Sequence, residues 1–174
     1  LQNTLTYIIA GIGIVLIALS AVKGNTENMQ PFFEDGYKGV LSIAVMTPFM
    51  FLGFDVIPQA AEEIKVPLKR IGRVMIFSII MAAIWYIAII FAVSMAMNAV
   101  EMKSAELVTA DAMKKLWNNK QLAANVVIIG GAAGILSSWN SFFIGGSRAI
   151  FALSEIKLIP EAFSKLHPKF NTPY

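Results

Sequence analysis

The residues best suited to chemistry lie in one apolar stretch, residues 47–63, with the sequence TPFMFLGFDVIPQAAEE. Asp55 lies near its middle, Gly53 comes just before it, and Pro48 and Pro58 lie on either side. A charged side chain at membrane depth costs roughly 2.5–3.5 kcal/mol on insertion scales, and proline removes a helical hydrogen-bond donor. Such a segment persists only where protein neighbours or a cavity satisfy its polar groups. The stretch therefore predicts a broken helix that lines a solute site.

The acids in this stretch each have two interpretations. Apolar surroundings favour the neutral form of a carboxyl group, which would let Asp55 carry a proton. Asp55 could equally cap the second half of the broken helix, because helix starts favour carboxylates. Glu62 and Glu63 follow at the end of the stretch. They could pair with basic residues to close an inner gate, or they could form a solvated helix end, since exposed ion pairs are weak.

The composition indicates the environment of these residues. Of the 174 residues, 57% are hydrophobic and only 14% are charged. This is more apolar and less charged than a typical globular domain, so the chain is predicted to be an integral membrane protein in contact with lipid. The net charge of +3 is scattered among apolar runs. It does not form the basic surface that a nucleic-acid partner requires.

Apolar runs about as long as a bilayer requires predict the membrane-spanning helices of a single transmembrane unit. Their expected positions, of which the second is discontinuous, are residues 5–22, 40–63, 74–97 and 122–153. Charged residues and near-helical apolar spacing at about 103–118 predict an amphipathic helix in an outer loop. Residues 154–174 are predicted to form a polar tail.

Loop charges predict the orientation of the chain. The arginines lie in the connection at 62–73 or near the end of the last apolar run, and the tail adds lysines. The loops after the first and third helices hold acids and bases in equal number. The positive-inside rule therefore places 62–73 and the tail in the cytoplasm and both other loops outside.

Aromatic residues outside the broken helix have simpler interpretations. Trp85 and Tyr86, in the third apolar run, are expected to be packing residues or interface anchors. Trp117, in the outer loop, could dock over a cavity or anchor the loop at the interface.

The residues that enzyme or metal chemistry requires are scarce. The sequence has no cysteine, and its one histidine, His167, lies in the polar tail without a carboxylate at ligand spacing. Neither a metal centre nor a nucleophile–base pair can be built from these residues. We therefore expect a protein that is not an enzyme and binds no cofactor.

Two separated motifs resemble one family of transporters. GFDVIPQAAEEIKVPLKRIGR resembles the sixth-helix signature of the amino acid/polyamine/organocation (APC) permeases. RAIFALSEIKLIP, followed by KFNTP, resembles the end of their eighth helix and the loop after it. The resemblance covers nearly the whole chain, which would be a fragment with helices five to eight of about twelve. Val66, Gly72, Glu155 and Ile156 depart from the family pattern in loops, which bears on subfamily more than on family.

The resemblance implies an all-α fold and a site. The fold is the leucine-transporter-type inverted-repeat bundle, in which the first and sixth helices are unwound at mid-membrane. The residues that match the unwound segment are Phe51, Leu52, Gly53 and Phe54. The backbone there is expected to meet the ammonium group or side chain of an amino acid substrate, and Phe51 or Phe54 to form an aromatic wall or gate. The first helix, which this chain lacks, would hold the substrate carboxylate.

Two serines in the last apolar run leave the coupling ion open. Ser137 and Ser138 resemble the hydroxyl pair with which sodium-coupled relatives bind a structural sodium ion, together with first-helix carbonyls. Serine hydroxyls also commonly bond to neighbouring helices, a contact worth about 0.6 kcal/mol in membranes. The pair is therefore a possible sodium site with a packing role as the alternative.

The resemblance as a whole implies secondary active transport of amino acids across the cytoplasmic membrane by alternating access. Proton coupling or exchange is the expected mode, and a sodium-coupled amino acid or amine transporter is the alternative. A non-transporting membrane scaffold or a channel subunit is a further interpretation, since polar helices also pack subunits or line pores. The expected protein partner is the remainder of the transporter chain.

Overall fold

The computed structural model of the protein describes residues 2–33, 36–54, 56 and 67–168, with the backbone alone for Gln2, Leu68 and Lys69. Helices dominate these residues, and no strand is among the elements that they form. The helices are α1 (Gln2–Lys23), α2 (Gly36–Met50), α3 (Leu68–Ala96), α4 (Ala99–Ser104), α5 (Val108–Leu116) and α6 (Gln121–Glu155). Short 3₁₀ turns follow α1 at Thr26–Met29 and α6 at Glu161–Ser164.

Three of these helices are long and apolar enough to cross a membrane, counted over the described part of the chain. They comprise Asn3–Lys23, Arg70–Ala96 and Gln121–Glu155. Each coincides with one of the apolar runs in the sequence, because a helix satisfies every backbone polar group within its own segment when water is absent.

The remaining apolar run, predicted at 40–63, begins as the 15-residue helix α2 and leaves helical geometry after Met50. Residues 51–54 form a turn. Residue 55 and residues 57–66 are outside the described part of the chain, so the second half of the predicted broken helix is not covered.

Contacts divide the chain into two compact units. The first comprises Leu1–Phe51 and Ile80–Ser137, and the second comprises Leu52–Ile79 and Ser138–Tyr174. The first unit has a hydrophobic core at one end of the helices, to which Leu16 of α1, Val93 of α3, Met113 of α5 and Ala123 of α6 contribute.

Close packing of α1 against its neighbours extends this core along the helices of the first unit. The indole ring of Trp85 on α3 lies directly against Gly13 on α1. On α6, Gly130 lies against the side chain of Ile12. Small residues commonly let membrane helices approach in this way, where lipid supplies no hydrophobic driving force for their association.

Polar groups tie the helix ends of the first unit together. The backbone N–H of Asn25 and the side-chain amide of Asn28 donate to the carbonyl oxygen of Met95, at 3.0 and 2.8 Å. The ammonium group of Lys23 donates to the carbonyl oxygen of Leu116 at 3.1 Å. This carbonyl belongs to the last residue of α5, where a positive charge is favourable because unpaired carbonyls accumulate there.

The loop between α3 and α6 contains two helices, α4 and α5, in place of the single helix predicted at about 103–118. A capping box starts α4 earlier, since Asn98 accepts from the Glu101 backbone and Glu101 accepts from the Asn98 backbone. Ala105 then adopts an extended conformation, which separates the two helices. Spacing of apolar residues alone did not reveal this interruption.

In the second unit, the end of α6 is closed by its own backbone. Lys157 adopts a positive φ of 60°, and the N–H of Leu158 donates to the carbonyl of Leu153 at 3.0 Å. This is a Schellman-type ending, which satisfies carbonyls that the helix leaves unpaired. The hydroxyl of Ser154 donates to the carbonyl of Pro160 at 2.8 Å and holds the following segment.

Candidate functional site

The candidate site begins where α2 ends. The hydroxyl of Thr47 donates to the carbonyl of Ile43 at 2.9 Å, within the helix. Pro48 lies inside the last turn and has no N–H, so it cannot continue the ladder of helical hydrogen bonds. The N–H of Phe51 donates to the carbonyl of Pro48 at 3.2 Å, a tighter pairing than the α-helical one. These features weaken the last turn of α2, which ends at Met50.

Gly53 carries the chain through the break. Its φ is +109°, a conformation that side-chain-bearing residues rarely adopt. The N–H of Val56 donates to the carbonyl of Gly53 at 3.2 Å. The predicted break in the helix near Gly53 is thus present, and glycine is the residue type that its geometry requires.

Tyr86 of α3 contacts the end of α2 in two ways. Its hydroxyl donates to the carbonyl oxygen of Met50, the last residue of the helix, at 2.9 Å. Its ring meets the ring of Phe51 edge to face, with the centroids 5.7 Å apart and the planes at 83°. The structure thus gives Tyr86 specific partners at the break, beyond the packing or interface-anchoring role that its residue type indicated.

Phe142 of α6 lies beside Gly53 in the second unit. Its Cζ atom is 3.9 Å from the position that a Cβ atom on Gly53 would occupy. Ser138 lies one helical turn before Phe142 and therefore shares its face of α6. This face of α6 is the one that approaches the helix break.

The residues predicted to bind substrate occupy one continuous turn, 51–54. Phe51 and Gly53 are partly buried, whereas 61% of Leu52 and 41% of Phe54 is exposed within this chain. Apolar and aromatic groups therefore surround a short piece of irregular backbone. Asp55, Glu62 and Glu63 lie outside the described residues, so their roles stay predictions.

Ser137 and Ser138 are consecutive residues of α6 and point in different directions, as consecutive helical residues do. Ser137 is partly buried and Ser138 is exposed. No cluster of three or more His, Cys, Asp and Glu residues that could hold a metal ion occurs among the described residues. A sodium site built from hydroxyl and carbonyl oxygens would not depend on such a cluster, and this role stays a prediction.

The loop between α3 and α6 contains a close ion pair between Lys115 and Glu101. The Lys115 ammonium lies 2.7 and 2.6 Å from the two carboxylate oxygens of Glu101. The hydrogen bond from Lys115, followed by the one from the Asn98 backbone, lowers the pKa of Glu101 from its ordinary value. The pair links α4 to α5.

Sequence grounds assigned no role at the break to Tyr86, which belongs to the first unit, or to Phe142, which belongs to the second. A signal for Tyr86 existed, because it lies well inside the span Arg70–Ala96, whereas tyrosines that anchor helices lie near the membrane surfaces. A hydroxyl at that depth in a membrane needs an acceptor within the protein. No comparable signal distinguishes Phe142 from the other apolar residues of α6.

Long apolar helices, together with a helix that ends at Met50 and a turn through Gly53, define a multi-pass helical membrane protein with a candidate solute site at that turn. Over residues 1–174 the chain matches the amino acid permease family. The chain belongs to this family, within the APC superfamily, as its two motifs indicated. The predicted fold class, an all-α membrane protein of the leucine-transporter type with a discontinuous helix, is confirmed.

Individual relatives agree with this assignment. The chain is 31% identical over 161 residues to the branched-chain amino acid permease BcaP of Bacillus subtilis. The aligned region covers 92% of this chain and 34% of that protein. It is 30% identical over 170 residues to the methylthioribose transporter of the same organism, and the aligned region covers 98% of this chain and 34% of that transporter. It is 31% identical over 153 residues to the chloroplastic cationic amino acid transporter 7 of Arabidopsis thaliana, and the aligned region covers 86% of this chain and 25% of that transporter. The chain thus spans about a third of the length of these relatives or less.

Proposed function

We propose that the full-length protein carries amino acids across the cytoplasmic membrane by secondary active transport with alternating access. One observation carries the proposal: α2 ends at Met50 and the chain turns through Gly53 in a protein of the amino acid permease family. Broken helices at membrane depth expose backbone groups, and they are the typical site of substrate binding in secondary transporters.

The substrate ammonium group or side chain meets the backbone at 51–53. The C-terminal end of α2 supports this assignment, because helix carbonyls give that end a partial negative charge of about half an elementary charge. Phe51 or Phe54 forms an aromatic wall or gate, and the exposed side chain of Leu52 belongs to the same turn. The substrate carboxylate is held by a helix outside this chain.

Coupling to protons, or exchange of one amino acid for another, is the proposed mode. Asp55 is the candidate proton carrier, and Glu62 and Glu63 are candidates for a cytoplasmic gate. Sodium coupling through Ser137 and Ser138 is the second candidate. It is favoured by two consecutive hydroxyl groups on α6, one of which shares a helix face with Phe142 beside the break.

The relatives support a panel of substrates for the test. Their names specify branched-chain amino acids, cationic amino acids and methylthioribose. Apolar groups at 51–54 support branched-chain amino acids as the first class to examine, because a site lined by apolar groups binds an apolar side chain without leaving polar groups unpaired.

The experiment is uptake by the full-length protein reconstituted in liposomes. Labelled branched-chain and cationic amino acids and methylthioribose are offered one at a time, with a pH gradient or a sodium gradient imposed separately. The proposal expects saturable uptake of at least one amino acid, driven by the pH gradient or by unlabelled amino acid inside. Uptake that only the sodium gradient drives would select the second candidate, and non-saturable flux or no flux of any amino acid would favour the channel or scaffold interpretation.

A further inference from the structure

The C-terminal end of α2 is held by Tyr86, which lies 36 positions after Met50 in the sequence. The hydroxyl of Tyr86 donates to the Met50 carbonyl at 2.9 Å, and the Tyr86 ring packs edge to face on Phe51. The boundary between the two compact units falls at the next peptide bond, between Phe51 and Leu52. Tyr86 therefore contacts Met50 and Phe51, the last two residues of the first segment of that unit.

Both contacts act where the helix can no longer support itself. The last four carbonyls of a helix have no N–H group in a following turn, and in an apolar environment each needs another donor. The Pro48 carbonyl receives the N–H of Phe51, and the Met50 carbonyl receives the Tyr86 hydroxyl. An edge-to-face pair adds a geometric preference, because the positive edge of one ring meets the negative face of the other.

We propose that Tyr86 is a positioning residue for substrate binding: its hydroxyl holds the end of α2 through the Met50 carbonyl, while its ring orients Phe51. This inference rests on the proposed function, since Phe51 and the adjoining backbone are the groups assigned to the substrate. Without the hydroxyl, the end of α2 samples several arrangements, and only a fraction of molecules is ready to bind. Apparent affinity falls in proportion to that fraction.

The test uses Tyr86→Phe in the full-length protein, which removes the hydroxyl and keeps the ring against Phe51. We expect a rise of about 3- to 10-fold in KM for the transported substrate, the range that loss of one hydrogen bond supports. The maximal rate per reconstituted molecule should stay within about twofold, because the helices that move during transport are unchanged. Tyr7→Phe is the matched control, since Tyr7 lies on α1 and 75% of its surface is exposed within this chain; its KM should not change.

A measurement without substrate separates this inference from the proposed function. Hydrogen–deuterium exchange of the purified protein should show faster exchange in peptides covering residues 48–56 of the Tyr86→Phe variant, with α1 unchanged. Local acceleration together with the higher KM supports the inference. Unchanged exchange at 48–56, or a loss of uptake explained by less folded protein at constant KM, would overturn it. If the wild-type protein moves no amino acid at all, the proposed function fails and the positioning role for substrate fails with it. Faster hydrogen–deuterium exchange at 48–56 in Tyr86→Phe would still show that Tyr86 holds the helix end.

Discussion

Lys115 contacts both carboxylate oxygens of Glu101, with its ammonium nitrogen 2.6 and 2.7 Å away, and this ion pair connects two short helices, α4 and α5, in the loop between α3 and α6. The two side chains are 42% and 39% exposed. Water and salt therefore weaken their attraction, and the pair contributes on the order of 0.5 kcal/mol. Its main effect is to keep α4 and α5 in one arrangement.

Glu101→Gln should lower the stability of the full-length protein slightly at pH 7, by about 0.5 kcal/mol or about 1 °C in the unfolding midpoint. Glutamine can still accept from the Asn98 backbone, so the variant isolates the ion pair. The folded-state pKa of Glu101 is lowered, so its stabilisation is present above the ordinary value of 4.5 and is lost as the pH falls through the folded-state pKa. The difference between variant and wild type should therefore vanish in acid.

Thermal unfolding in detergent at a series of pH values measures this difference. Glu161→Gln is the matched control, because Glu161 pairs with Lys157 at 3.9 Å while both side chains are more than three-quarters exposed. It should leave the midpoint unchanged. Equal effects of the two substitutions at pH 7 would contradict a specific role for the Glu101–Lys115 pair.

Gly53→Ala should reduce uptake about tenfold or more. The φ of +109° costs a residue with a Cβ atom about 1–3 kcal/mol, and about 1.4 kcal/mol corresponds to a factor of ten. Contact with Phe142 is not the reason, since 3.9 Å is an ordinary van der Waals distance. Gly146→Ala, on α6 with no other atom within 4 Å of the new methyl group, should leave uptake unchanged. Equal activity of the two variants would argue against a conformational requirement at Gly53.

Gly13→Ala should destabilise the protein by about 1–3 kcal/mol, because its methyl group would overlap the ring of Trp85. Gly11→Ala on the same helix meets no atom within 4 Å and should be neutral or slightly stabilising. Adding Trp85→Leu should recover part of the stability lost in Gly13→Ala, as coupled neighbours do in a double-mutant cycle. Unfolding midpoints of the wild type, Gly13→Ala, Trp85→Leu and the double variant complete this cycle, with Gly11→Ala as the control. Purely additive losses in the cycle would show that the two residues do not interact.

Asp55→Asn addresses the coupling mechanism. If Asp55 carries the proton, the variant should lose acceleration by a pH gradient and retain exchange of internal for external amino acid, because an amide cannot take up and release a proton at ordinary pH. Uptake assays with and without the gradient measure both activities. Wild-type uptake with an unchanged pH dependence would assign Asp55 a structural role such as capping the second half-helix.

Sequence patterns predicted the apolar helices well because each depends on its own run of residues. The runs at 5–22, 74–97 and 122–153 coincide with α1, α3 and α6, since hydropathy and length act locally. Gly53 and Pro48 likewise marked the break, because both change the backbone of their own segment. The division of the loop between α3 and α6 at Ala105 was missed, since it depends on the way that Asn98 and Glu101 cap the preceding helix.

Composition, hydropathy and two motifs were enough to indicate a membrane protein of the amino acid permease family with an interruption of its helical structure near Gly53. The contacts at the interruption are found in the folded chain alone. In the first unit Tyr86 contacts Met50 and Phe51, and in the second unit Phe142 lies beside Gly53. This difference follows from the sequence distance over which each interaction acts. Helix formation and its interruption depend on neighbours within a few residues, whereas a hydroxyl finds a carbonyl 36 positions away only after the helices have packed.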